Sequence, residues 1–180
     1  NSASGEDNGA VYIYIRNDQG TPADQSDDTW EYETSILPDM TQLTNYSVGA
    51  RFGTSVAIDG DTIVIGARQA SFNNYHTGAV FVYTRVGSDW KTAAPEMEIL
   101  ADPINTNAVY FGDSVSIYEN TIVVGVPGDS SGASSGGAAY IYEKNGSNWS
   151  TADVRKLIPS DSAANTDFGV AVSIYDDLIV

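Results

Sequence analysis

The sequence contains no cysteine and a single histidine, His76, among its 180 residues. Without cysteine the chain can form no disulfide framework, no thiolate nucleophile and no sulfur-ligated zinc site. One histidine cannot build a metal site made of several histidines. Because 24 acidic residues stand against 8 basic ones, for a net charge of −16, nucleic acid and anionic membranes are poor partners.

Long apolar runs and helical patterns are missing as well. No stretch approaches the roughly 20 apolar residues of a membrane helix, so membrane insertion is not expected. The first residues of the sequence have neither the basic flank nor the apolar core of a signal peptide. Short apolar runs rich in Tyr, Val, Ile and Thr recur instead, separated by glycines and turn residues. This pattern predicts an all-β protein.

An internal repeat organises these runs. Phe-Gly opens the first run of each unit at Phe52, Phe111 and Phe168, which lie 59 and 57 positions apart. We place a two-residue turn after each of these runs, at Asp59-Gly60, Glu119-Asn120 and Asp176-Asp177, and a second apolar run follows it. A third run has the pattern Gly-Ala-x-aromatic-x-Tyr and begins at Gly9, Gly78 and Gly137. A fourth begins at Trp30, Trp90 and Trp149.

Four consecutive antiparallel strands form a meander that cannot cover both of its faces, so neighbouring copies must stack. The repeat therefore predicts a β-propeller of four-stranded antiparallel blades. The chain divides into an N-terminal half-blade, two full blades and a C-terminal half-blade, over residues 1–51, 52–110, 111–167 and 168–180. These units amount to three blades, a partial propeller, whereas propellers close with about 4–8. We expect the chain to be a segment of a larger propeller, or its C-terminal hairpin to complete the N-terminal half-blade of a neighbouring copy.

The repeated residues resemble the FG-GAP repeat, the blade of the integrin-alpha-type β-propeller. The likeness covers nearly the whole chain. It rests on Phe-Gly, on Gly-Ala-Arg or Gly-Val-Pro about a dozen residues later, and on the third-strand pattern. We assign a structural role to the motif residues Phe52, Gly53, Gly66, Ala67, Phe111, Gly112, Gly125, Pro127, Phe168 and Gly169.

The sequence departs from the integrin-type repeat at the turn between the first and second strands. In that family the turn is commonly an acidic loop that wraps calcium, which needs six to eight oxygen ligands. Here the turn is only two residues long and offers one or two carboxylates per repeat. We therefore expect no calcium, no other cofactor and no metal site.

Two other segments of the sequence are candidate sites. The loop that leads to the third strand of the first full blade contains Phe72, Tyr75 and His76, which can face a protein or glycan ligand or can pack over the blade edge. An acidic insertion follows the third strand of the N-terminal half-blade, and we interpret it as a solvated hairpin tip. Its acids are Asp18, Asp24, Asp27, Asp28, Glu31 and Glu33.

We expect a non-enzymatic, extracellular protein that acts in adhesion or ligand binding, with a protein or a glycan as partner. An alternative is a scaffold or surface-layer subunit whose partners are further copies of itself, assembled by strand exchange between half-blades. A carbohydrate-active enzyme is a more distant alternative. Glycosidases use two carboxylates held several ångströms apart, and no such pair stands out in this sequence.

Overall fold

The computed structural model describes residues 9–20, 25–38, 49–70, 77–87, 89–90, 96–100 and 109–180. Within these residues the protein is all-β, and no helix in them is long and apolar enough to cross a membrane. Their strands are β1 (Val11–Asn17), β2 (Thr29–Ile36), β3 (Phe52–Asp59), β4 (Thr62–Ala67), β5 (Ala79–Thr84), β6 (Glu96–Leu100), β7 (Ser114–Tyr118), β8 (Thr121–Val126), β9 (Ala138–Asn145), β10 (Asn148–Leu157), β11 (Ile174–Tyr175) and β12 (Leu178–Ile179).

The strands form four antiparallel sheets in chain order. β1 and β2 form the N-terminal half-blade, and β11 and β12 form the C-terminal half-blade. Between them, β3-β4-β5-β6 is the first full blade and β7-β8-β9-β10 is the second full blade. Each full blade is a simple meander whose neighbouring strands are consecutive in sequence. The fold is therefore a partial β-propeller, as the repeat predicts.

The apolar cores lie between sheets and not inside any one sheet. One core joins Val64 and Val82 of the first full blade to Phe111, Val115 and other residues of the second. A second core joins β1 and β2 to the first full blade, and a third joins β8 and β9 to Ile174 of β11. The second strand of each full blade is buried at five consecutive positions, because a neighbouring sheet covers each of its faces.

Two details of the strands differ from the sequence-based expectation. The pairing of Asp59 with Thr62 places the first turn at Gly60-Asp61, one residue later than predicted, because Asp59 still belongs to the β ladder. The fourth strand of the first full blade begins at Glu96 and not at Trp90, which is buried in the core before it. The sequence has a proline at position 95, and proline cannot donate to a ladder.

The described part of the acidic insertion is tied to the half-blade from which it extends. Arg16 Nε lies 2.6 Å from Asp28 Oδ2, and Asn17 Nδ2 donates to Glu31 Oε1 at 2.8 Å. Asp18 Oδ1 accepts from the backbone N–H of Gly20 in a local turn. Asp24 lies outside the described residues. The insertion therefore has internal polar partners for several of its acids.

Candidate functional site

The Phe-Gly motif builds the junctions between successive sheets. The phenylalanine of each sheet forms a parallel β-bridge with the glycine that precedes the third strand of the sheet before it. These bridges are Gly9 to Phe52, Gly78 to Phe111 and Gly137 to Phe168. The same motif that defines the repeat in the sequence therefore holds neighbouring blades together through main-chain contacts.

Glycine is required at these bridges for steric reasons. A Cβ atom on Gly137 would lie 2.1 Å from the backbone O of Phe168, and its φ of +79° is already unfavourable for other residues. Gly66 and Gly125 meet the next sheet in the same way, since a Cβ at either position would lie about 2 Å from the carbonyl oxygen of Gly112 or Gly169. Because these glycines have no side chain, the two backbones can approach closely.

The remaining motif residues are placed around these junctions. Phe52 and Phe111 are buried, whereas Phe168 of the C-terminal half-blade is 38% exposed. Gly53, like its two equivalents, has a positive φ. Ala67 and Pro127 are buried where the second strands end.

A serine two residues after each of the first two Phe-Gly pairs adds a hydrogen bond to the next sheet. Ser55 Oγ donates to the carbonyl of Gly112 at 2.9 Å, and Ser114 Oγ donates to that of Gly169 at 2.8 Å. The third repeat has Ala171 at this position. Because the two bonds join the same atoms of successive repeats, the blades share one stacking geometry.

One end of the blades, here called the loop end, is where second strands finish and first strands begin. The residue before each Phe-Gly lies at this end and has a left-handed backbone, with φ of 53° at Arg51, 71° at Tyr110 and 50° at Asp167. In each case its carbonyl accepts from the backbone N–H three residues later, which defines the same turn. Such a conformation is uncommon for residues other than glycine. The same backbone geometry therefore carries a cationic side chain at Arg51, an aromatic ring at Tyr110 and an acidic side chain at Asp167.

All three of these side chains are exposed, and the surroundings of Tyr110 are defined in most detail. The Arg68 guanidinium lies 5.7 Å from the centre of the Tyr110 ring, and Arg68 Nη1 donates to Asp113 Oδ1 at 2.8 Å. Arg68 follows the second strand of the first full blade, whereas the other two residues belong to the second. The loop end is therefore cross-linked between blades by a cation–π contact and an ion pair.

The loop over residues 127–137, also at the loop end, is anchored by a buried acid. Asp129 is fully buried, and its Oδ2 accepts from Lys156 Nζ at 2.6 Å and from Tyr140 Oη at 3.2 Å. Its Oδ1 accepts from the backbone N–H of Ser131 at 2.8 Å. Lys156 also lies 2.5 Å from Ser131 Oγ. The Ser- and Gly-rich tract, which would be a flexible linker in isolation, is thus an ordered loop.

The electrostatics of Asp129 follow from these partners. Burial by itself raises the pKa of this carboxyl, but the hydrogen bonds from Lys156 and Ser131 outweigh it and hold the pKa below its ordinary value. The carboxylate therefore stays ionised and anchors the loop at neutral pH.

A second loop, residues 158–167, packs beside the first. Asn165 donates its backbone N–H to the carbonyl of Ser134 at 3.0 Å, and Thr166 Oγ1 donates to the carbonyl of Gly136 at 2.9 Å. A Cβ on Gly132 would lie 2.6 Å from Cγ2 of Ile158, so the loops touch without a gap. The result is one continuous surface rich in Ser and Gly.

The opposite end of the blades, here called the turn end, carries the short turns between first and second strands. Asp59 Oδ2 accepts from the backbone N–H of Glu119 at 2.6 Å, and the rings of Tyr118 and Tyr175 lie 5.2 Å apart. Desolvation, followed by the negative charges of Glu119 and Asp176, raises the pKa of Tyr118. No group of three His, Cys, Asp or Glu suited to a metal ion occurs within the described residues.

The predicted ligand-facing residues Phe72, Tyr75 and His76 lie outside the described residues, so their role stays a prediction. Their loop joins a second strand to a third strand, as the loop over residues 127–137 does in the next blade. Arg51, Tyr110 and Asp167 were not predicted from the sequence, in which the one feature they share is their place directly before a Phe-Gly pair.

The fold and the blade junctions together define a β-propeller segment built from Phe-Gly repeats. The profile of the FG-GAP repeat matches residues 44–83, 98–142 and 151–180, more than half of the sequence. The chain belongs to the FG-GAP repeat family. A comparison with curated proteins gives no match.

Proposed function

We propose that the chain is a non-enzymatic, extracellular binding module that recognises a protein or glycan ligand through the loop end of its blades. The observation that carries the proposal is the repeated left-handed position of Arg51, Tyr110 and Asp167. The backbone is the same in all three repeats while the side-chain chemistry differs, so the loop end offers a ligand a different chemical group from each repeat.

The cost of the left-handed backbone supports a role in recognition. A non-glycine residue in this region costs on the order of 1–3 kcal/mol, and such residues cluster at ligand clamps and active sites. Glycine would be the less strained choice at all three positions, yet the chain has exposed side chains there. Those side chains offer ionic, stacking and hydrogen-bonding contacts to a ligand.

The ordered loops support the same reading. Loops that are held in one shape before binding lose less conformational entropy when a ligand arrives. Asp129 and Lys156 hold the loop over residues 127–137 in this way, and Asn165 and Thr166 attach the second loop to it. Ser, Asn and Gly are also enriched in antibody recognition loops, where they supply adaptable hydrogen bonds.

The absence of catalysis is part of the proposal. A general acid needs a raised pKa, whereas the hydrogen bonds from Lys156 and Ser131 outweigh burial and lower the pKa of Asp129. Its oxygens are also occupied by Lys156, Tyr140 and Ser131. The extracellular location is supported by the family, since FG-GAP repeats are typical of extracellular proteins and are often found in adhesion proteins.

The test is a binding screen on glycan arrays and immobilised extracellular-matrix proteins. Its variant set changes Arg51, Tyr110 and Asp167 together to Asn, which tolerates the left-handed backbone and removes the side-chain chemistry. The matched control changes Glu119 and Asp176 to Asn, because these have φ of 50° and 53° but lie at the turn end.

We expect any ligand found with the native chain to lose at least tenfold in affinity with the loop-end variant and to be retained by the turn-end control. Loss of binding in the control alone would assign recognition to the turn end and refute the proposal. Hydrolysis of a glycan on the array by the native chain would refute its non-enzymatic part.

A further inference from the structure

The sequence contains three Asn-x-Ser motifs that have no part in the blade junctions or in the proposed ligand surface. Asn-x-Ser, with any residue except proline in the middle, is an acceptor motif for N-linked oligosaccharides. The three motifs begin at Asn45, Asn145 and Asn148. The first lies outside the described residues. The other two follow one another directly at the turn between β9 and β10, and their surroundings differ.

The motif at Asn145 lies open at the tip of the hairpin. Asn145 pairs with Asn148 across the turn, so Gly146 and Ser147 are the two residues of the turn itself. All three residues of the motif are exposed. A Cβ atom added to Gly146, whose φ is +68°, would meet nothing within 4 Å. A modifying enzyme can therefore reach this motif in the folded chain.

The motif at Asn148 is closed by its middle residue. Trp149 is 1% exposed and belongs to the core that joins the two full blades. The Lys144 ammonium lies 5.2 Å from the centre of its ring. A transferase needs its acceptor as an accessible segment, and this segment would have to take its tryptophan out of the core. The folded chain therefore offers Asn145 and withholds Asn148.

The tip of this hairpin lies at the turn end of the blades. The backbone N–H of Lys144 donates to the carbonyl of Asn120 at 2.8 Å, which sets the hairpin beside the short turn between β7 and β8. The loop end, which the proposed function assigns to ligand recognition, lies at the opposite end of the same strands. A group attached to Asn145 therefore leaves the proposed ligand surface uncovered.

The same hairpin carries a strand edge. Among the described residues β10 is the last strand of its sheet and, with ten residues, the longest strand of the chain. Edge strands expose backbone groups to which another chain can add, and proteins blunt such edges with charges, bulges or covering groups. β10 has a register irregularity between Asn148 and Asp153. The strand begins three residues after Asn145, so a bulky group on Asn145 would cover its turn-end part.

We propose that Asn145 is the acceptor of an N-linked oligosaccharide, which shields the adjacent edge of β10. The proposal rests on the extracellular location in the proposed function, because N-linked oligosaccharides are added to secreted proteins, and it does not depend on ligand binding. In the transfer, the side-chain nitrogen of Asn145 bonds to C1 of the first sugar of a polyprenyl-pyrophosphate-linked oligosaccharide. The bond from C1 to the phosphate oxygen breaks, the pyrophosphate leaves with that electron pair, and the nitrogen gives one proton to the transferase. Ser147 supplies the hydroxyl that the motif requires.

The first test offers the purified, folded chain to an oligosaccharyltransferase with a polyprenyl-pyrophosphate-linked oligosaccharide, and peptide mapping by mass spectrometry locates the product. A synthetic Asn-Gly-Ser acceptor peptide verifies that the enzyme is active. We expect the glycan on Asn145 of the native chain, none there in Ser147→Ala, and transfer restored in Ser147→Thr. The matched control Asn148→Gln removes only the neighbouring motif and should leave transfer to Asn145 unchanged. A native chain that stays unmodified at Asn145, or that accepts the glycan on Asn148 in its place, would overturn the proposal.

The second test measures the shielding of the edge. Light scattering follows the association of the glycosylated and the unmodified chain at about 0.5 M NaCl, which screens the net charge of −16. We expect glycosylation to slow association by about twofold or more. Equal rates for the two forms would refute the shielding. A ligand found in the binding screen should bind both forms equally, whereas a screen that finds no ligand would count against the proposed function and leave the acceptor site intact.

Discussion

The buried Asp129 cluster occupies positions that are apolar in the preceding repeat, and this difference allows a sharp prediction. The backbone bonds of Ala70 match those of Asp129, and the strand register matches Phe81 with Tyr140. Ile99, which pairs with Phe81, corresponds to Lys156, which pairs with Tyr140. The same place in the fold therefore holds Ala, Phe and Ile in one blade and Asp, Tyr and Lys in the next.

Asp129→Ala on its own is expected to destabilise the protein strongly. It removes the carboxylate and leaves the Lys156 ammonium, whose side chain is only 17% exposed, without its ionic partner. Removal of one member of a buried ion pair costs about 3–5 kcal/mol. Because about 1 kcal/mol shifts the Tm of a protein of this size by about 2–4 °C, the melting temperature should fall by at least about 6 °C.

The triple variant Asp129→Ala, Tyr140→Phe and Lys156→Ile transfers the apolar set of the first full blade. Replacement of a whole buried ion pair by apolar residues is often neutral or stabilising. The triple variant should therefore melt no more than about 3 °C below the native chain, which corresponds to a loss of at most about 1 kcal/mol in the free energy of unfolding. Scanning calorimetry of the native chain and both variants, supported by urea unfolding, measures the difference.

Hydrogen exchange separates stability from loop order in the same variants. The amide of Ser131 donates to Asp129 and should exchange faster in the triple variant even though its melting temperature is retained. A single variant that loses less than about 1 kcal/mol would show that the ion pair is not buried as described. A triple variant that melts as low as the single one would show that the two repeats are not equivalent at these positions.

Three further predictions concern the junctions and the acid response. Gly137→Ala should lower the free energy of unfolding by about 2–5 kcal/mol, because the new Cβ adds backbone strain and clashes with Phe168. The control Gly146→Ala has a similar φ but lies in open space, so it should lower the free energy of unfolding by only about 1 kcal/mol. Thermal melts measure both. Ser114→Ala should cost about 1 kcal/mol in urea unfolding through the lost bond to Gly169, and an unchanged midpoint would contradict that bond's role. The lowered pKa of Asp129 means that its stabilisation is complete above the unfolded pKa of about 3.9 and is lost as pH falls through the folded pKa. Acid unfolding should show this component in the native chain and not in the triple variant.

Much of the fold could be predicted from the sequence because it repeats. Three copies of Phe-Gly and of the third-strand pattern indicate four-stranded blades, and the profile match establishes the family. The errors are local. Asp59 continues its strand for one residue beyond the predicted end, and Trp90 is buried ahead of its strand instead of opening it.

The candidate site was less accessible to sequence reasoning, for two physical reasons. A left-handed backbone at Arg51 or Tyr110 has no compositional signature, because neither residue type favours it and the turn imposes it. The partners Asp129 and Lys156 lie 27 residues apart and meet only through the register of β9 and β10. Both features become visible only when the repeats are superimposed position by position.

The nearest-neighbour stacking of the sheets has a consequence for folding. The contacts between sheets that involve several residue pairs join blades that are adjacent in the chain. Such an arrangement behaves as a one-dimensional array, in which folding can begin in any blade and spread to the next. Hydrogen-exchange protection of the backbone amides should then be greatest at β8 and fall towards β1 and β12, where the array ends.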